Sequence, residues 1–396
     1  MHKYKNIKLA YILCFLKQTW FWLGIWVFFY LRFTNYAGIG LLESIMIITF
    51  TVSEIPSGAI ADLLGKKNTL IVSFLLQSIG NIVMGFTPNF MFLGLGIFIA
   101  CIGGALYSGT MEALVYDSLI DEKKEKHYDK AIANMSTIQL IASALASIIG
   151  GFMYTINPSL PFHAVGLAYF IGFILSFFLK EPLVDTEKFS LKNFIQQTKE
   201  GVKQLFGKQV VKNQTIMVLS TAMFTVIVYE MLNDILAVEF GFSETQLGIF
   251  VAVTYLVSAA ASQFTPQFRK KIGDSKGLLL MGTIIAISLL ISPFVSLILG
   301  AISILIRFAS QSVYDNFISI IVNKNTESKY RATTLSTFNM VKNMPYVLTA
   351  FILGSFIDSF SARNIAFVLG VLLSILVALQ FFKLKTRKSK QVIIKN

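Results

Sequence analysis

The residues able to do chemistry in this chain are ionisable groups set inside long apolar runs. The carboxylates are Glu54, Glu112, Glu230 and Asp315; the cations are Lys17, Arg307 and Lys342. Each cation falls roughly 8–10 residues from an end of its run, near the middle of an apolar layer at about 1.5 Å per helical residue. A charge in such a layer is costly and marks either a functional site or a compensating pair. Burial raises the affinity of a carboxyl for a proton, and a neighbouring cation lowers it. Two readings stay open. In one, the cations and carboxylates pair and hold helices in register. In the other, a carboxylate binds a proton and couples it to a second event; Glu112 is the first candidate, Glu54 the next and Glu230 the third. Asp234 lies four residues from Glu230, on one helix face.

The run that holds Lys17 is rich in aromatic residues: Trp20, Trp22, Trp26, Phe28 and Tyr30. Such rings suit a cavity for hydrophobic or cationic ligands, or positions facing lipid and its interface. The three cations suit an anionic ligand. Lys17, Trp20, Arg307, Asp315 and Lys342 are therefore candidate cavity residues. Other chemistry has no support. His2, His127 and His163 are scattered, and Cys14 and Cys101 both lie in apolar runs, so neither metal-ligand spacing nor a disulfide framework is present. GIGLLE and GLGIFIACIGG read as helix-packing glycines. No metal, cofactor or enzymatic activity is expected.

The elements that must position these groups follow from composition. Of 396 residues, 55% are hydrophobic and 14% charged, with a mean hydropathy of +0.68. Soluble domains carry about 25% charged residues, so the expectation is an all-α membrane protein. A spanning helix needs about 20 apolar residues. Twelve runs qualify: 9–31, 39–63, 69–87, 91–119, 131–156, 162–180, 214–238, 244–268, 277–297, 299–322, 333–357 and 362–383. The basic N-terminus leads into a first run that stays in place as a span, without a cleavage site. With alternating sides, 29 of the 34 basic residues fall in connections on the side of both termini, while only Arg32 and Arg363 fall in the opposite loops. The formal charge of +13 is thus a topology signal with attraction to anionic lipid, and nucleic acid is not implied. Both termini are expected to be cytoplasmic in a multi-pass plasma-membrane protein.

The polar stretch 181–213 divides the spans six and six. The expected organisation is an N-terminal six-helix bundle (1–180), a cytoplasmic central loop (181–213) and a C-terminal six-helix bundle with a basic tail (214–396). Phe189 and Phe194 among Lys and Gln suggest a helix along the membrane surface, or else a flexible linker. The halves echo each other. Gly65 pairs with Gly273, Thr87-Pro88 with Ser292-Pro293, Tyr116-Asp117 with Tyr314-Asp315, Tyr128 with Tyr330 and Gly150 with Gly354, at offsets of 198 to 208 residues. Transporters built from repeats place their substrate between them.

Between the second and third spans the chain reads GAIADLLGKK, Gly58 to Lys67. In this place it resembles the G-x-x-x-D-R-x-G-R-R motif of the major facilitator superfamily, with Gly58, Asp62, Gly65, Lys66 and Lys67 matching and Leu63 in place of the first Arg. The resemblance covers the whole chain. It implies two pseudo-symmetric six-helix bundles and alternating-access transport of a small molecule. It also implies that Asp62 approaches the start of the eleventh span, so that Asp62, Arg331 and Asp117 form a cytoplasmic latch. In the second half Lys270 stands where Asp62 would be. Drug antiporters of the superfamily carry G-x-x-x-G-P-x-x-G-G in span five. Residues 142–151, ASALASIIGG, keep its small residues, with Ser147 at the proline position. The fourth span lacks the Arg common in proton-coupled exporters.

The expected function is a bacterial proton-coupled exporter of hydrophobic or drug-like compounds. The alternatives are a proton symporter for a sugar, organic anion or other nutrient, and a non-transporting receptor or assembly factor. Expected partners are the substrate, protons and membrane lipid, with the protein a monomer. Removing the latch carboxylate tests the motif: Asp62→Asn is expected to slow transport and move the inward/outward distribution several-fold, about 1 kcal/mol for a charge at a helix terminus. Distance measurements on labelled protein would refute the latch if wild type and variant gave the same distribution.

Overall fold

In the computed structural model the described residues are 5–183, 191–206, 209–326 and 331–393. They are helical almost throughout, joined by short turns. In lipid only a helix or a closed barrel satisfies its own backbone, and the apolar runs are too long for barrel strands. Among the described residues ten helices are long and apolar enough to cross a membrane. Leu160–Ser176 is a shorter apolar helix between two of them. The remaining span is the first, and it departs from the sequence expectation of one continuous helix over 9–31. It is helical over Lys5–Lys17, turns irregularly through residues 18–25, and resumes over Trp26–Tyr30. The fourth span is also interrupted, at Ser108–Gly109, between Phe90–Tyr107 and Thr110–Asp121. The seventh passes through a π-helical turn, Val228–Leu232. The twelve apolar runs thus appear as twelve helical spans among the described residues.

The chain divides into two compact units. The first comprises Met1–Phe194 with Ser243–Val253, and the second Ile195–Phe242 with Thr254–Asn396. In the first, Lys66–Gly85 packs against Phe90–Tyr107 and Leu160–Ser176. The corresponding helix of the second unit, Asp274–Leu290, packs against Leu297–Asn325 and Ala362–Ile393, the equivalent pair six spans on. Small polar residues knit the first set together: Ser73 Oγ donates to the Gly103 carbonyl at 2.7 Å, and Ser78 Oγ to that of Gly166 at 2.8 Å. Such bonds hold helices together in lipid, where apolar contact alone gives little preference over the acyl chains. Each unit has its own core, around Phe74, Met111 and Val165 in the first and Ala222, Phe317 and Phe338 in the second.

Residues 191–206 form a helix. Leu205 at its end is buried in the second unit's core, with Phe206 packed beside it, so this part of the central connection is an anchored element. Phe189 and the Phe194 side chain lie outside the described residues, as do His2 and Tyr330.

The Gly65–Gly273 pairing has a backbone counterpart. Gly65 adopts φ 82° and ψ 154°, and Gly273 φ 79° and ψ 167°. Only glycine enters this region readily. The carboxylate of Glu181 closes over Gly65, and a Cβ there would lie 2.9 Å from the Glu181 Cδ, whereas nothing lies within 4 Å of one at Gly273. Gly65→Ala and Gly273→Ala are each expected to cost about 1–3 kcal/mol of strain, and Gly65→Ala more because it also displaces Glu181. Melting curves of the two variants in detergent check the order; equal losses would mean that the carboxylate contact contributes nothing.

Candidate functional site

The candidate residues of the first unit gather at two helix interruptions. Lys17 ends the first half of span one, where the negative end of the helix dipole favours a cation. Its Nζ lies 5.1 Å from the centre of the Trp20 ring, 5.5 Å from Tyr107 and 5.6 Å from Tyr169. Trp20 stacks on Trp22 at 5.5 Å. Its indole Nε1 donates to the Tyr169 hydroxyl at 2.8 Å, which in turn donates to the Lys17 carbonyl at 2.9 Å. A hydrogen bond of 3.2 Å joins Tyr107 to Cys14. The rings therefore hold one another in place as well as the lysine. Tyr107, Tyr169 and Cys14 were not distinguishable in sequence from ordinary apolar-run residues; they come from three different spans.

The break in span four positions two carboxylates. Ser108 Oγ, at the break, donates to Glu54 Oε1 at 3.0 Å. Glu112 lies in the first turn of the helix that resumes after it, where a helix N-terminus favours an anion. Its Oε2 is buried and, among the described residues, has no hydrogen-bond partner.

The broken part of span one is received by the small residues of span five. A Cβ on Gly150 would fall 1.6 Å from the carbonyl oxygen of Phe21, so no side chain larger than hydrogen fits there. Ala142, Ser143, Ala146, Ser147 and Gly151 are buried on the same helix. Gly248, at the start of the eighth span, lies against the Ser147 carbonyl, where a Cβ would approach to 2.4 Å. Ser147 Oγ turns back to the Ala144 carbonyl at 3.1 Å.

At the end of the first unit that carries the GAIADLLGKK turn, Lys66 Nζ and Asp117 Oδ2 form a buried ion pair at 2.6 Å, without hydrogen-bond alignment. Glu181 accepts the backbone N–H groups of Lys66 and Lys67, both at 2.7 Å. It thereby satisfies two of the open donors at the start of span three. Sequence reasoning passed over Glu181, because nothing in Lys180-Glu181-Pro182 signals a cap for a helix more than a hundred residues away. Gly58 and the side chains of Asp62 and Arg331 lie outside the described residues. For the latch, the described pairing is therefore that of Asp117 with Lys66.

In the second unit Glu230 lies on the π turn and its side chain is exposed. π turns are frequent at functional sites. Lys342, on the helix Arg331–Phe360 that contains Pro345, acts electrostatically on both Glu230 and Asp315. The Gln311 amide donates to Asp315 Oδ2 at 3.0 Å. Arg307 differs. It is 1% exposed, its Nε donates to Asn233 Oδ1 at 2.8 Å and its Nη1 to the Ser288 carbonyl at 3.0 Å. It braces span ten to the residue that follows the π turn and to span nine. Among the described residues its Nη2 is unpartnered. Glu43 and Asp234 also have partners, and Glu43 is buried.

Spans interrupted in mid-course, with ionisable groups beside the interruptions, define a multi-pass membrane protein of transporter type. The sequence pattern of the Major Facilitator Superfamily matches residues 9–345 and 215–394, and the chain belongs to that family. It is 25% identical over 390 residues to the uncharacterized MFS-type transporter YxaM of Bacillus subtilis, spanning 93% of this chain and 95% of that one. It is 27% identical over 143 residues to the quinolone resistance protein NorA of Staphylococcus aureus, covering 36% of this chain and 35% of NorA. Among solved structures, the nucleoside transporter NupG superposes with a TM-score of 0.79 at 14% identity, covering 96% of this chain and 99% of NupG. A bacterial homologue of the lysosomal transporter Spinster gives 0.72 at 17%, covering 95% of each chain. The family is one of transporters, not of enzymes.

Lys342 supplies the positive charge that acts on Glu230 and Asp315. Lys342→Met is expected to lower the melting temperature in detergent by removing the positive charge that acts on these carboxyls, and adding Asp315→Asn to recover most of the loss. An unchanged melting temperature in Lys342→Met would break the link.

Proposed function

We propose that this chain is a proton-coupled exporter of small, partly hydrophobic molecules, working by alternating access across the bacterial plasma membrane with both termini cytoplasmic. The observation that carries the reading is the placing in the second unit of Glu230 on the π turn and of Asp315 beside the Gln311 amide at 3.0 Å, with Lys342 supplying the positive charge that acts on both. With both carboxyls ionised the set has one net negative charge; one proton makes it neutral. A neutral set is far less costly to enclose in a low-dielectric interior than a charged one, so proton binding favours whichever state encloses it. Glu112 and Glu54 remain candidates in the first unit, and Glu112 is the better placed because its buried oxygen has no partner among the described residues.

Two features support export. The small residues of span five stand where drug antiporters of the family carry G-x-x-x-G-P-x-x-G-G, with Ser147 in place of the proline, and they accommodate both the interruption of span one and Gly248. The stretch shared with NorA lies in a protein named for quinolone resistance. The cytoplasmic assignment of the termini rests on the 29 basic residues on their side of the chain.

Everted vesicles with an acidified lumen provide the test, using a panel of hydrophobic dyes, aromatic acids, nucleosides and sugars. The expected result is accumulation of one panel compound in the lumen as protons leave it, lost in Glu230→Gln and Asp315→Asn. Accumulation only in right-side-out vesicles with acid outside would make the protein a symporter. Wild-type proton-driven rates in Glu230→Gln, Asp315→Asn and Glu112→Gln alike would remove these carboxylates from the coupling.

A further inference from the structure

The three intramembrane cations are answered in different ways. Arg307 gives its Nε to an amide oxygen and its Nη1 to a backbone carbonyl and is almost fully buried. Lys342 acts on two carboxylates. Lys17 has neither arrangement. None of the ion pairs among the described residues includes it. The titratable groups that act on it are the thiols of Cys14 and Cys101, which carry little charge near neutral pH. Its surroundings are three aromatic rings. Ring quadrupoles attract a cation but bring no negative charge, so the rings leave the charge of the protonated lysine uncancelled. The side chain is only partly buried, and it stands where the helix of span one stops.

We infer that Lys17 is the receptor for an anionic group, a carboxylate or sulfonate, on the transported molecule, with Trp20 and its stacked neighbour Trp22 providing the flat apolar wall beside it. This rests on the exporter reading above and narrows its substrate class to amphipathic aromatic anions. The geometry serves both parts of such a molecule. The ammonium supplies the missing counter-charge in a medium where a charge-assisted hydrogen bond is strong. The Trp20 ring is pinned by its bond to Tyr169, so it offers its surface without first having to be ordered. The Lys17 carbonyl is already taken by Tyr169, which leaves the ammonium as the group available to a ligand.

The chain itself contains the reporter. Its three tryptophans are Trp20, Trp22 and Trp26, all within span one and two of them at the site. The probes are 4-iodobenzoate, the isosteric neutral 4-iodobenzamide and the cationic 4-iodobenzylammonium, titrated into purified full-length protein in detergent while tryptophan quenching is followed. Saturable quenching by the benzoate is expected, with the amide weaker by about tenfold, the scale set by loss of a charged hydrogen bond, and the ammonium weaker still. Lys17→Gln should bring benzoate and amide to equal affinity, and Lys17→Arg should keep the preference. Both variants are compared at the same monodisperse elution volume, so that misfolding is seen separately. Equal binding of benzoate and amide by wild type, stronger binding of the ammonium, or an unchanged benzoate preference in Lys17→Gln would each overturn the assignment. Binding in detergent needs no gradient. A protein that exports with protons but shows no anion preference would sink this inference alone, and an anion preference without proton-driven export would sink only the coupling.

Discussion

A charge or an open backbone group inside a bilayer has to be answered by the protein, because no bulk water is there to do it. Most of the particular features of this chain are answers to that demand. Where span one leaves the helix, short turns restore bonds to the freed backbone, such as Ile25 N–H to the Trp22 carbonyl at 2.9 Å and Leu23 N–H to that of Trp20 at 3.0 Å. The displaced segment then needs space, and Gly150 provides it by having no side chain where Phe21 passes. Arg307 is answered by Asn233 and a backbone carbonyl, Asp117 by Lys66, and Asp315 by Gln311 with Lys342 acting nearby. Lys17 is answered by rings, which leave its charge uncancelled.

The same demand acts at helix ends, and the two units meet it with similar parts at different places. In the first, the Glu181 carboxylate takes the first N–H groups of the helix Lys66–Gly85. In the second, Glu239 takes those of Ala362 at 2.6 Å and Arg363 at 3.1 Å, at the start of Ala362–Ile393. These are not equivalent helices of the repeat. The second copy of the turn after span two relies on Arg269 and Asp274, whose second guanidinium contact is 3.2 Å. Duplication kept the backbone of Gly65 and Gly273 while the polar groups around each diverged. A backbone shape that only glycine adopts tolerates less change than a carboxylate that can be supplied from several helices.

Interruption and chemistry coincide in this molecule. Lys17 adjoins the break in span one, Ser108 and Glu112 the break in span four, and Glu230 lies on the π turn of span seven. A regular helix in lipid presents side chains only, with its polar backbone closed to neighbours. Breaking it re-aims nearby side chains and creates an uneven surface onto which a small molecule can fit.

The membrane character, the number and limits of most spans and the repeat were legible in the sequence. Each follows from hydrophobicity summed over about twenty residues, or from a residue such as Gly65 whose role is local. The ionisable groups were legible too, since a charge stands out in an apolar run. What they meet was not. Lys17 shares a run with Trp20, but Tyr107 and Tyr169 come from the fourth and sixth spans; Lys342 acts on Glu230 from four spans away in the chain, and Glu181 reaches Lys66 across 115 residues. The break at residues 18–25 was hidden as well, because an apolar run reads the same whether it continues as helix or leaves it. By itself the sequence determined which residues had to cross the membrane and which would be costly there. Only the tertiary structure decided which neighbours offset that cost, because in lipid a polar group's partner is whatever side chain the packing of helices brings within reach.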